Sequence, residues 1–413
     1  MATGTDDDSE TLRFEDVDWD SYGGRDLRPS APTASFLVLF GALVAFYCYD
    51  VFVLPSGEPT IWIVANSWTN DVIWDVTRVD WLSLFVGVLV VSFAVVPAVG
   101  EPAKVRKFRE TYPKDPLSVV ALVYVAGLAL VGLVGPVLLD QPTLQFDQAR
   151  QPPVYTSVAS KYVTTCVGPV VDGHCQGTWA TPLGTTMGGE SILVWLVYGT
   201  RTALQFALIS AVLMVPIATV VGTSAAYVGG RFDALVMRYV EVQDAVPTVI
   251  VYFLLVIFVG PTLFMLIVAY GLFNWSDMAR LVRGEALSLK EEEFVSAARS
   301  AGAGPLTVVR RHLIPNLAST VVATLSMMVP KLILVEALFS FIGLSGDQSY
   351  SWGQLIQRGL IDGSLDGTTA VDLTGFEGLW WIPVLPALLI SVTVLFFFVF
   401  GDALQTVVDP REG

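Results

Sequence analysis

Apolar residues in this chain come in long blocks rather than in alternation. A helix that crosses a bilayer needs roughly 20 mostly apolar residues. The runs 34–54, 81–99, 117–139, 203–228, 317–341 and 380–402 meet that need. The stretch 245–273 is harder, being too long for one ordinary span and carrying Gly260-Pro261 near its middle. It is either one kinked helix or two helices turning at that dipeptide, the first starting near Asp233 and carrying Arg238, Glu241 and Asp244 in its first turns. Charge asymmetry selects between them, because cytoplasmic loops are enriched in Lys and Arg. Two helices give eight spans and put both termini inside. The basic segments 100–116 and 280–315 then share the cytoplasmic side, and the outer loops 55–80, 140–195 and 342–379 hold only Arg78, Arg150, Lys161 and Arg358. The expected fold is an all-α polytopic membrane protein with about eight transmembrane helices.

Between two apolar blocks lies VSAARSAGAGPLTVVRRHLIPN, from Val295 to Asn316. Ser288 and Glu291 have the spacing of a capping box, and Phe294, Ala297, Ala298 and Ala301 follow helical i, i+3, i+4, i+7 spacing. Gly302 sits where a helix C-terminus takes a left-handed residue. Gly304-Pro305 suits a new N-terminus with Pro at the first helical position. The second helix is expected to reach about His312 and stop before Pro315, with Arg310 and Arg311 favouring its dipole. Connectors in helix bundles usually have two to eight residues. This one has about 35, and a short helix pair with an apolar stripe can lie in a partner's groove.

Composition agrees with the span pattern. Of 413 residues 54% are hydrophobic and 15% charged, against about 25% charged in soluble domains. Mean hydropathy is +0.63 and net charge −15. Only six of the 23 basic residues are lysine. Abundant Asp with scarce Lys suits a surface hydrated in high salt and points to a halophilic archaeal source; the alternative is an acidic tail on an ordinary protein. Residues 1–33 hold much of the acid, few large apolar groups and no pattern of a cleaved signal peptide. They are expected to form a disordered cytoplasmic tail.

Candidate chemistry is sparse. The two histidines, His174 and His312, fall on opposite sides of the membrane, and HExxH, GxSxG and GxxxxGK[ST] patterns are absent. No catalytic residue, metal site, cofactor or nucleic-acid partner is expected. Charges within spans are costly and often functional. Lys331 and Glu336 are five residues apart, about 140° around a helix, so they do not pair directly. With Arg238, Glu241 and Asp244 they are the candidates for a pathway or gate, against the plainer readings of a snorkelling lysine and a solvated helix end. Cys166 and Cys175 fall in an outer loop, where disulfides persist, at a closable separation; Cys48 falls in a span.

The 295–316 stretch resembles the EAA loop of ABC-importer permeases, matching at Ala297, Ala298, Gly302, His312, Pro315 and Asn316, with Ser296 in place of the usual Glu. TPLGTTMGG (181–189) is similar to the HPLGTDxxGRD signature of the dipeptide/oligopeptide branch, with Thr181 for His, Thr186 for Asp and Glu190 for Arg. AYVGGRFDALVMRYVEVQDAVP, EALFSFIGL, SWGQLI and FGDALQTVVDPR follow in the same order, so the resemblance covers about 181–411. It implies a C-type permease subunit with a type I importer core in the cell membrane, non-catalytic itself. Its implied partners are a second, B-type permease, two ABC ATPase subunits and an extracellular substrate-binding protein, besides membrane lipid. Coupling to the ATPase would fall on the matched loop residues together with Pro305, Arg310 and Arg311. The implied layout is an added hairpin and basic loop at 34–116, a first core span and outer loop at 117–195, and the permease core at 196–413 with coupling loop 283–316. The competing classes are an ion-driven secondary transporter, for which no internal repeat is found, and a membrane scaffold. The added hairpin precedes every matching motif, and removing 1–99 preserves span parity, so it is expected to be dispensable for transport.

Overall fold

The computed structural model describes residues 30–55, 60–63, 72–74, 76–100, 102–346, 350–361 and 379–408. Nearly all of the acidic tail therefore lies outside the described residues, as do most of the acidic positions in the loop before the last helix.

The elements are, in order, helix α1 (Ala31–Phe52), strands β1 (Ile61–Ile63) and β2 (Val72–Trp74), α2 (Arg78–Val90), a π turn (Val91–Val95), α3 (Val96–Gly100), α4 (Pro102–Thr111) and α5 (Pro116–Leu138). A small sheet of β3 (Ser157–Ala159), β4 (Val170–Val171) and β5 (His174–Gln176) follows, in the order β3-β5-β4. Then come α6 (Ile192–Val228), α7 (Gly230–Asp244), α8 (Thr248–Val259), α9 (Leu263–Phe273), α10 (Ser276–Lys290), α11 (Glu293–Ser300) and α12 (Pro305–Val308). A second π turn (Val309–Leu313), α13 (Ile314–Asn316), α14 (Ala318–Phe341), α15 (Trp352–Ile361) and α16 (Trp381–Val408) complete the chain.

Among the described residues six helices are long and apolar enough to cross a membrane, and α7 with α8 makes a seventh span bent by 65°. Neither α9 nor α10 qualifies alone, yet together they run beside α6 in its own direction. Tyr270 meets Phe206, with ring centroids 5.9 Å apart. Further along, a β-carbon on Gly222 would sit 2.6 Å from the Ala279 carbonyl oxygen. At the end, Lys290 reaches the carbonyls of Ala226 and Tyr227. Among the described residues the expected eight spans thus meet six span-length helices and one bent pair, with α9 and α10 lying beside α6 as two shorter helices.

Three local departures have physical causes. The predicted helix from Asp233 to Gly260 breaks at Ala245–Pro247, because the residue before a proline is pushed out of helical conformation. Gly260, at φ +91°, then closes α8. Span 203–228 begins eleven residues earlier, at Ile192, its first turns covered by the loop that precedes it. Each π turn ends two residues before a proline, Pro97 or Pro315. The wider turn takes up the missing N–H and the ring clash that would otherwise stop a helix. The small sheets depart from an all-α fold. The second lies between α5 and α6, where Cys166 and Cys175 are joined with Cα atoms 5.7 Å apart; the short β1–β2 hairpin pairs Trp62 with Ile73.

The core lies where α6, α9, α14, α15 and α16 converge around Trp195, Phe206, Ile267, Ile333, Trp352 and Trp381. Buried tryptophans find partners for their N–H groups. Trp195 Nε1 donates to the Ser351 carbonyl at 3.0 Å, and Trp352 Nε1 to the Leu196 carbonyl at 2.9 Å. This reciprocal pair pins α15 to the start of α6. Elsewhere large apolar side chains face outward, among them Leu133 (76% exposed), Phe258 (83%) and Leu254 (53%). Such a belt suits lipid rather than water.

Candidate functional site: the coupling loop and the charged helix faces

The loop between α10 and α14 is built on a clip. The last carbonyls of a helix have no partner within it, and at the end of α6 they accept from Lys290 Nζ, at 3.0 Å from Ala226 and 2.8 Å from Tyr227. The Tyr227 ring lies 5.9 Å from that ammonium and 5.2 Å from the Arg299 guanidinium. Helix α11 turns Val295 inward onto Val308 and Leu313, a small cluster that Tyr227, Leu289 and Ala303 complete. Gly302 has φ +87°. Its N–H donates to the Arg299 carbonyl at 2.9 Å, and that of Ala303 to the Ala298 carbonyl at 3.0 Å. This hydrogen-bond pair is the Schellman motif. Pro305 opens α12 behind Gly304.

Two expectations for the loop are corrected. Ser288 does not cap a helix: α10 continues to Lys290, because Met278, Ala279, Val282 and Ala286 stay buried and carry it past the local signal. The N-cap of α11 is Glu292, without a side-chain cap bond. The second helix does not stop before Pro315 but passes it through the π turn and α13. Asn316 Nδ2 donates to the His312 carbonyl at 2.6 Å there.

The structure gathers the predicted loop residues on one bend. Ala297, Gly302, Pro305, Arg310, Arg311, Pro315 and Asn316 are exposed, and Ala298 and His312 half-buried. Phe294 and Leu306 add apolar surface, Leu306 at 77% exposure. The residues that fix the bend from within are Val295, Lys290 and Tyr227. Sequence reading passed over them, although Val295 is the large apolar residue off the small-residue stripe.

The pathway candidates divide. Arg238 and Glu241 form an exposed ion pair at 3.3 Å, as a solvated helix end would. Asp244 accepts from Ser276 Oγ at 2.8 Å and Arg280 at 2.9 Å, tying the end of α7 to α10. Lys331, exposed on α14, is close enough for its charge to act on Asp244. Glu336 is wholly buried and accepts from Ser340 Oγ at 2.6 Å, so it faces the core and lines no open surface. At the other end of α6, Glu190 accepts from Thr186 Oγ at 2.9 Å and from Arg358 at 3.0 Å, and Arg358 lies 4.5 Å over the Trp195 ring. A small cavity lined by Thr186, Gly188, Glu190, Arg358 and Ile382 adjoins this clasp.

Residues 193–413 match the family described as the inner membrane component of binding-protein-dependent transport systems. The chain belongs to that family. Among curated proteins the permease is 34% identical over 230 residues to the oligopeptide transport system permease protein OppC of Haemophilus influenzae, covering 55% of this chain and 70% of the relative. It is equally 34% identical over 229 residues to the dipeptide transport system permease protein DppC of Bacillus subtilis, covering 55% and 68%. Among solved structures the inward-facing MetNI methionine ABC transporter aligns at a TM-score of 0.41 and 19% identity, over 52% of this chain and 96% of that one. The family match holds every loop residue described above, while α1, α2, α4 and α5 precede it. The permease is thus a membrane-spanning family core preceded by further helices.

Proposed function

We propose that this permease is the C-type half of the translocation pathway of an ATP-driven importer for peptides or similar small solutes. A second, B-type permease supplies the other half. Of two ATPase subunits, one docks on the 283–316 loop, and an extracellular binding protein delivers the cargo. The chain has no phosphate-binding GxxxxGK[ST] loop of its own, which agrees with hydrolysis on separate subunits. The observation that carries this reading is the loop itself, inside the family match. It is anchored inward by Val295 and Lys290 and turned outward with Phe294, Ala297 and Leu306 uncovered. A passive connector needs neither the Schellman corner nor the clip. In this reading both termini and the basic segments are cytoplasmic, and the disulfide lobe is extracellular. The face carrying Lys331, Leu334 and Leu338, all exposed, is turned to the sister permease.

The test is reconstitution of the four-subunit membrane complex in vesicles at high salt, as the acidic composition calls for. ATP-dependent peptide uptake that requires the binding protein supports the proposal. Uptake driven by an ion gradient without ATP would assign the chain to the secondary carriers instead.

A further inference from the structure

The α1–α2 hairpin lies outside the family match, yet one of its charges is spent on the core. Asp80 is 7% exposed. Its carboxylate accepts from Arg201 of α6 at 2.6 Å and from Gln205 Nε2 at 3.1 Å. The same Gln205 nitrogen reaches Ser83 Oγ at 3.0 Å. Asp80 and Ser83 are one turn apart on α2, and Arg201 and Gln205 one turn apart on α6. The network therefore has two rungs facing each other across an otherwise apolar seam. Asp80 also closes the capping box of α2 with Thr77, so its backbone and side chain are fixed before the core is met. Arg78 adds a third tie, 6.0 Å from the Phe264 ring of α9. On the far side of the same stretch of α6, a β-carbon on Gly132 of α5 would lie 3.5 Å from the Arg201 backbone nitrogen. Helix α1, in contrast, has no buried residue and touches the bundle by way of α2.

We infer that Asp80 is the fixed counter-charge of Arg201 and that the hairpin is a permanent wall of the transport core rather than a removable appendage. A carboxylate and a guanidinium held at one place in an apolar seam set the register of the two helices, since sliding either by a turn separates the charges. Bidentate-capable Arg suits that role better than Lys. The inference reverses the expectation that residues 1–99 can be deleted. It also leaves α1 as the lipid-facing member of the pair, packed on α2 and on the π turn through Phe36 and Phe93.

The test uses the full chain in lipid nanodiscs and does not depend on transport. Amide exchange across 78–90 and the melting temperature are followed in Asp80→Asn, Arg201→Met and the double variant, with Thr77→Ala as the control for loss of the cap. Asp80→Asn is expected to speed exchange across 78–90 by about ten-fold and lower the melting temperature. The double variant should recover most of both, because neither member of the ion pair is then left without the other. Thr77→Ala should change only the first turn. Exchange unaltered by Asp80→Asn, or a double variant whose losses are the sum of the singles, would overturn the inference.

Discussion

Gly302→Leu is the variant whose outcome follows most directly from the loop geometry. At φ +87° a residue with a β-carbon pays about 1–2 kcal/mol. A β-carbon built there has no heavy atom within 4 Å among the described residues, so it points into open space. Against that cost stand Val295, Val308 and Leu313, all fully buried, each contributing about 1.5–3 kcal/mol by burial. Two hydrogen bonds of the Schellman corner and the Lys290 clip add to them. The corner therefore stays formed in the variant, and the added side chain projects into the open space in front of it. If an ATPase subunit fills that space, Gly302→Leu and Gly302→Asp abolish binding-protein-stimulated hydrolysis and uptake while the permease still inserts and pairs with its sister. Gly302→Ala, which bears the backbone cost with little bulk, stays near wild type. Arg310→Glu weakens coupling without stopping it. The assay is uptake and stimulated ATP hydrolysis in vesicles, with co-purification of all subunits as the assembly check. Normal coupling in Gly302→Leu would make the loop a passive connector. An Ala variant as impaired as the Leu variant would move the explanation from the outer surface to the backbone.

Lys290→Met removes two charge-assisted bonds to the end of α6, worth about 1.5–3 kcal/mol each when well formed and less at this half-exposed position; hydrolysis should continue while uptake per ATP falls, and an unchanged ratio would dismiss the clip. Arg358→Ala leaves the Glu190 carboxylate, 6% exposed, with only Thr186; a loss of about 2–3 kcal/mol in thermal unfolding is expected, largely restored in Glu190→Gln/Arg358→Ala, and no recovery in the double variant would show that the clasp is not an ion-pair effect. Replacing both Cys166 and Cys175 by Ala opens a cross-link between positions nine residues apart, which should lower the stability of the outer lobe by about 2–3 kcal/mol; alkylation of both thiols in the unreduced wild-type protein would contradict the link.

The spans, the helix-turn-helix loop and the left-handed Gly302 were legible because each rests on a local rule: apolar length, small-residue periodicity, and the residue type that accepts positive φ. What escaped depends on partners far away in sequence. Ser288 has the spacing of a cap, but packing of Ala279, Val282 and Ala286 on α6 overrides it. The turn at Gly260-Pro261 was legible, but the further break before Pro247, which bends α7 against α8 by 65°, was not. Glu336 and Lys331 are both pathway candidates by sequence; the bundle puts Glu336 in the core and Lys331 outside it. Arg201, two positions before the expected span 203–228, drew no reading, since its partner Asp80 lies 121 positions earlier. The strands of the outer lobe are two or three residues long and carry no alternation to detect.

The long helix α6 explains why these separate contacts belong together. Its 37 residues span about 55 Å at 1.5 Å per residue, more than the roughly 30 Å of a hydrocarbon core. Its C-terminal carbonyls are held by the coupling loop through Lys290, its N-terminal turns by α15 through the paired Trp195 and Trp352 bonds, and its flank by α2 through Arg201. A displacement of the loop cannot be absorbed at a flexible joint beside Tyr227, because that joint is clipped. It must pass into α6, whose one internal break in the hydrogen-bond ladder is at Pro216. If an ATPase subunit docks on the loop as proposed, the motion it starts has two routes: a shift of the whole helix toward the Glu190–Arg358 clasp or a bend at Pro216. The Asp80–Arg201 pair, on the N-terminal side of that proline, opposes the first. On that proposal the bend at Pro216 is the expected route, with the 283–316 loop and the α7–α10 ties through Asp233–Arg283 and Asp244–Arg280 on its moving side.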